Sequence, residues 1–111
     1  MSEEEIRIGR TEALFRDVNE RIAESAQRFE ADETQFVCEC ADPSCADRIE
    51  LSLEDYERVR EDATHFVLLE GHVDERVERV ITQRRKYSIV EKFNSVVRKT
   101  VVSLDPRAEP A

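Results

Sequence analysis

The amino-acid sequence predicts a single α+β domain with an N-terminal amphipathic helix, a zinc knuckle, one further helix and a small, mostly antiparallel sheet. Three observations carry that expectation. Apolar residues recur at three- and four-residue steps between Thr11 and Phe29, cysteines cluster at Cys38, Cys40 and Cys45, and β-branched residues concentrate after Val77. A chain of 111 residues has room for one modest core, small enough for a metal staple to matter. The domain is expected over residues 11–105, between a flexible start at 1–10 and a tail at 106–111.

Leu14, Phe15, Val18, Ile22, Ala26 and Phe29 define the apolar face of a helix over 11–30. Thr11 can cap it with Glu12 in the first turn, and neither glycine nor proline interrupts it. Glu30–Thr34 breaks the pattern and reads as a connector into a short strand, Gln35-Phe36-Val37, which delivers the cysteines. Past Cys45, Arg48-Ile49-Glu50-Leu51 alternates polar and apolar residues, as a half-buried strand does. Ser52 then caps a second helix, with Glu54 and Asp55 in its first turn and Leu53, Tyr56 and Val59 on one side; it should end near Asp62. The segment His65–Leu69 reads as a strand, closed by a turn at Gly71. Three antiparallel strands are expected beyond it, around Val77–Thr82, Tyr87–Val90 and Val96–Val102, although Val73, Val77, Val80 and Ile81 also fit a helical spacing. Gln83–Lys86 falls at the first turn between them and Phe93-Asn94-Ser95 at the second, and Asp105-Pro106-Arg107 with Pro110 ends the regular structure.

The cysteines point to a metal. One residue, Glu39, separates Cys38 from Cys40, so an extended or tightly turned backbone can aim both sulfurs at one ion. Ala41-Asp42-Pro43-Ser44 has the chemistry of a turn and can bring Cys45 round to the same ion. Structural zinc takes four ligands, with sulfur at about 2.3 Å and imidazole nitrogen at about 2.0 Å. His72, at a strand end and behind the flexible Gly71, is the preferred fourth ligand; His65, beside a helix end, is the less favoured one. The readings without a metal are three buried cysteines in an apolar core, or a disulfide, which an odd cysteine count and a one-residue spacing disfavour.

A site with three thiolates and a histidine is full, whereas catalytic zinc keeps a position for water. Glu39 and Glu70 are the nearby acid–base candidates, but the His-Glu-x-x-His and His-x-Glu/Pro-Cys-x-x-Cys patterns are absent from the sequence. With glycine only at Gly9 and Gly71, no phosphate-cradling loop can form. The expectation is therefore a structural Zn2+, no catalytic residues, no small-molecule substrate and no enzyme. A thiol redox switch at the same cysteines is a lesser reading. The absence of a long apolar run and the acidic start Met1-Ser2-Glu3-Glu4-Glu5 disfavour a membrane span or a secretory signal, and free thiols then fit the cytoplasm.

A formal net charge of −9 disfavours general nucleic-acid binding. The charge is lopsided, however: residues 1–75 hold 22 acids and 8 bases, and residues 76–111 hold 4 acids and 9 bases. The leading functional expectation is a small acidic regulator or adaptor working through protein contacts, with Phe15, Val18, Ile22 and Phe29 of the first helix docking on a partner or on a second copy. The helix folding back onto its own sheet is the alternative use of that face. A second class is a module that contacts RNA or DNA, for instance in a ribosome or a transcription complex, through Arg79, Arg84, Arg85, Lys86, Arg98 and Lys99.

The chain also resembles short bacterial proteins in which a helix like Leu14–Ile22 precedes Phe36-Val37-Cys38-Glu39-Cys40, a third cysteine, Tyr56-Glu57-Arg58-Val59-Arg60 and Gly71-His72. The likeness covers most of the chain. No established activity attaches to that group, so it implies only that the cysteines and Gly71-His72 act as one set.

Overall fold

A computed structural model describes residues 3–30 and 33–108. Residues 1, 2, 31, 32 and 109–111 lie outside the described residues, and with them part of the expected flexible start, of the Glu30–Thr34 connector and of the tail. Helix α1 spans Glu3–Arg28, strand β1 Glu33–Val37, β2 Arg48–Ser52, helix α2 Leu53–Val59, β3 His65–Leu69, β4 Glu78–Gln83, β5 Tyr87–Lys92 and helix α3 Ser95–Ser103. The architecture is α+β. An antiparallel β1–β2 pair and an antiparallel sheet in the order β3-β5-β4 lie in one domain with α1 packed against α3 and β1.

Two expectations are corrected. The first helix begins at Glu3, not near Thr11, so residues 3–10 are ordered helix. Ile8 and Gly9 are buried there, and a Cβ on Gly9 would come within 2.8 Å of Thr100, which shows how closely α1 and α3 approach. The second correction concerns Val96–Val102, which is helix rather than strand, giving two helices beyond the first. Asn94 caps α3 by accepting from the amides of Val96 and Val97, both at 3.0 Å, and Val97 and Val101 bury one side at helical spacing. A cap and an i,i+4 apolar pair outweigh the strand preference of β-branched residues, which is weak and set by context. Thr100 satisfies its hydroxyl on the Val96 carbonyl at 2.8 Å.

The remaining elements follow the sequence closely. Ser52 Oγ accepts from the Asp55 amide at 3.0 Å to start α2, which ends earlier than expected, at Val59. Val80 and Ile81 lie on a strand, with a bulge in the register between Val80 and Thr82 on the outer strand β4. The apolar core gathers Phe36, Ile49, Leu51, Tyr56, Val59, Phe66, Val67, Leu68, Val90 and Val97, with Phe36 stacked on Tyr56 at 4.4 Å between centroids.

What α1 turns inward differs from its expected apolar face. Its buried line is Ile8, Gly9, Glu12, Ala13, Arg16, Asn19, Ala23 and Ala26. Leu14, Val18 and Phe29 are exposed by 60%, 37% and 75%, whereas Phe15 and Ile22 are half-buried. The core beneath α1 is thus a layer of paired charges. Arg16 and Lys92 sit over the Phe66 ring at 3.5 and 4.6 Å, and Arg16 meets Glu39 at 3.2 Å. Lys92 pairs with both Glu12, at 2.6 Å, and Glu78. A further set joins α1, α2 and the C-terminal segment, where Arg60 donates to Glu20 at 2.9 Å and to Asp105. Among the described residues no helix is long and apolar enough to cross a membrane.

Candidate metal centre

β1 runs directly into Cys38-Glu39-Cys40, which bridges the two sheets: the Cys38 amide donates to the Asp47 carbonyl at 3.0 Å and the Glu39 amide to the Val67 carbonyl at 2.9 Å. Alternation along this extended stretch turns both sulfurs one way and the Glu39 carboxylate the other. The expected turn follows. Asp42 Oδ1 accepts from the Ser44 amide at 2.9 Å and its hydroxyl at 2.7 Å, and the Cys45 amide donates to the Asp42 carbonyl at 3.0 Å. At the end of β3, Gly71 adopts φ +87°, a left-handed conformation that suits glycine, and the His72 amide closes the turn on the Leu69 carbonyl at 3.1 Å.

These two turns bring Cys38, Cys40, Cys45 and His72 together, with all four ligand atoms within 4.8 Å of one another. His72 Nδ1 lies 3.5 Å from Cys38 Sγ and 3.7 Å from Cys45 Sγ. Bonds of about 2.3 Å to sulfur and about 2.0 Å to nitrogen at a tetrahedral angle give sulfur-to-nitrogen edges of about 3.5 Å. The cluster therefore has the dimensions to hold a metal ion, with Nδ1 as the imidazole ligand. His72 Nε2 faces Asp47 Oδ2 at 3.6 Å, longer than a direct hydrogen bond. The Leu69 amide donates to Cys38 Sγ at 3.3 Å.

Without a metal the thiols divide one negative charge unequally. The Cys38 thiol donates to Cys40, and this bond, opposed by burial and helped by His72 and the Asp42 amide, holds Cys40 down at about 5. Donating to Cys40 and burial push Cys38 well above the usual thiol range, and burial raises Cys45 as well. A metal must displace the protons of Cys38 and Cys45, so its binding releases protons and its affinity falls as pH falls. Zinc titrations in two buffers of different ionisation enthalpy, at pH 6 and pH 8, are expected to show proton release and tighter binding at the higher pH.

Glu39, an acid–base candidate by position, is fully buried on the opposite side of the strand from the sulfurs. Its Oε1 accepts from Arg16 at 3.2 Å and from the Val67 amide at 3.1 Å, and its Oε2 from Asn19 at 2.9 Å and Tyr56 at 3.2 Å. Glu70 is exposed. Cys40 and His72 line a cleft of about 670 Å3 whose far wall includes Arg7 and Thr11 of α1. His65, the less favoured ligand, stands apart from the cysteines: its Nε2 lies 3.5 Å from Asp62 and 3.3 Å from Glu91. Arg79 also pairs with Glu91, at 2.8 Å, so this second cluster already carries its own cation.

The other candidate residues are placed as follows. Val18 and Phe29 are exposed on α1, Phe15 is half-buried, and Ile22 packs against the core. Arg84, Arg85 and Lys86 are exposed at the β4–β5 turn, and among the described residues none has a carboxylate within ion-pair distance. Arg79 is held by Glu91, while Arg98 and Lys99 lie on α3, where Arg98 donates to the Lys92 carbonyl at 3.3 Å. Asp47, Arg16 and Asn19 escaped the sequence reading. Their signal was present in the polar helical stripe Glu12, Arg16, Asn19 and in the carboxylate set between two alternating cysteines. Compared with protein-family models, curated proteins and solved structures, the chain matches none.

Proposed function

We propose that the protein is a non-catalytic interaction module held together by one structural Zn2+ on Cys38, Cys40, Cys45 and His72, serving as a bacterial cytoplasmic regulator or adaptor. The convergence of the four ligand atoms within 4.8 Å, with two sulfur-to-nitrogen edges close to the tetrahedral length, carries the reading. Three soft thiolates and an imidazole favour zinc over harder divalent ions, and four protein ligands leave no position for a reacting water. Cobalt loading tests it: intense visible bands of a tetrahedral, thiolate-rich site are expected, and the weak spectrum of a six-coordinate ion would count against it.

The partner we propose is a second copy of this chain, paired through the outer side of α1. Leu14, Phe15 and Val18 form an apolar patch at its middle, more exposed than a core helix needs. A two-fold pairing of this helix would bury the same patch on both copies. Sedimentation is expected to find a dimer that Val18→Glu converts to monomer with unchanged circular dichroism. A wild-type monomer at high concentration would remove this partner.

One observation favours the second reading, contact with nucleic acid: Arg84, Arg85 and Lys86 are exposed at a hairpin tip, with no carboxylate at ion-pair distance among the described residues. Counterion release would make such binding fall steeply with salt. Under the protein-contact reading no steep salt-dependent binding is found.

A further inference from the structure

The stretch that presents two of the metal ligands is also the stretch that holds α1. Asn19 donates to the Val37 carbonyl at 2.8 Å and to Glu39 at 2.9 Å, and accepts from the Val37 amide at 2.7 Å. Arg16 donates to Glu39 at 3.2 Å, to the Ala63 carbonyl at 3.1 Å and to the His65 carbonyl. Beside these, the inner side of α1 offers alanines, a glycine, Ile8 and the Lys92-bound Glu12. Around Arg16 and Asn19 its attachment therefore depends on directional polar contacts, while Gly9 packs on Thr100 of α3 and Ile22 on the apolar core. Such polar contacts weaken steeply with small displacements, and a buried ion pair that loses its partner becomes strongly unfavourable. Apolar packing would tolerate the same shift.

We infer that Glu39 couples the metal site to α1, so that metal binding latches the helix and metal loss releases it. The inference rests on the metal-site reading above. With the ion bound, Cys38 and Cys40 are fixed, and Glu39 between them is held where Arg16, Asn19 and Tyr56 reach it. When the ion leaves, the Cys38–Cys40 stretch is free to shift, Glu39 withdraws from Arg16 and Asn19, and the inner stripe of α1 becomes a charged surface that water can solvate. The Val67 and Leu69 amides, which donate to Glu39 and to Cys38 Sγ, belong to the linked stretch, whereas β5 stays paired with β4 on the side away from it. Glu39 is a positioning residue in this scheme. By linkage, whatever factor the metal adds to helix docking, docking adds to metal affinity.

The test compares the full chain loaded with zinc and stripped by a chelator, under reducing conditions, by hydrogen exchange. Stripping is expected to speed exchange of the α1 amides, and of Val67 and Leu69, by about tenfold or more while the β5 amides stay protected. Reciprocally, Asn19→Ala should weaken zinc by about tenfold in competition with a chromogenic chelator. Val90→Ala, which loosens the sheet core opposite Phe66 without removing a hydrogen bond of the link, should weaken zinc less than Asn19→Ala does. The latch is overturned if α1 protection ignores zinc, if all elements lose protection together, or if Asn19→Ala binds zinc like the wild type. Each of those outcomes requires a zinc-loaded protein and leaves the metal site standing. A wild-type chain that takes up no zinc overturns the site and the latch together.

Discussion

Cys40→Ser is expected to lose the bound metal and to melt about 15 °C or more below the wild type, measured as zinc content and a thermal unfolding curve on the same sample. Cys40 is buried, and in the metal-free site it is the thiol whose charge is already stabilised by Cys38, so it anchors the incoming ion. A ligand present at 1,000 times its Kd stabilises the folded state by about 4 kcal/mol, a large share of the roughly 5–15 kcal/mol that holds a domain together. The fold also has an apolar core around Phe36, Tyr56 and Phe66, so the variant is expected to be weakened and partly ordered, not a random chain. A variant melting with the wild type would mean that the cysteines are only buried apolar residues.

Lys92→Met is the second large effect, expected to cost about 3–5 kcal/mol near pH 8 by chemical denaturation. Lys92 is buried between Glu12 and Glu78, so two carboxylates share one cation. Burial, against the pull of Lys92, raises Glu12 from 4.5 to about 8. A carboxyl with a raised folded pKa favours the folded state fully below its unfolded value and loses that contribution as pH rises through the folded value. Removing the cation raises the pKa of Glu12 further, so the penalty is greatest at alkaline pH and shrinks as pH falls towards 5. Adding Glu12→Gln to Lys92→Met should restore part of the loss at pH 8. On the acid side the wild type has a separate dependence. Burial opposes ionisation of Glu20 and Asp105, but hydrogen bonds from Arg107 and Arg60 to Glu20, and from Arg60 to Asp105, outweigh it and lower both pKa values. Their contribution is lost as pH falls through those lowered values, and comparing variant with wild type at each pH cancels it. A penalty that did not change with pH would contradict the raised pKa of Glu12 beside the shared cation.

The parts of the fold that the sequence made legible are those specified by local chemistry. Ser52 before an acidic turn, the Asp42–Cys45 turn, Gly71 at its left-handed position and the basic β4–β5 turn are each dictated by a few neighbouring residues. The four candidate ligands were legible for the same reason, since two turns and one alternating strand suffice to bring them together. Other features depended on distant partners. Val96–Val102 has the composition of a strand, and only the Asn94 cap and the spacing of Val97 and Val101 against α1 make it a helix. The rotation of α1 was hidden because a periodic apolar stripe marks the core side only when the core is apolar. Here Glu12, Arg16 and Asn19 turn inward because their partners, Lys92, Glu39 and Val37, lie 18 to 80 residues away in sequence.

The most direct test of the metal-centred account is elemental analysis of the reduced, full-length protein after dialysis against metal-free buffer. One zinc per chain is the expected result, with none retained by Cys40→Ser. Wild-type protein that emerges without a bound transition metal, and takes up none when zinc is supplied, would contradict it.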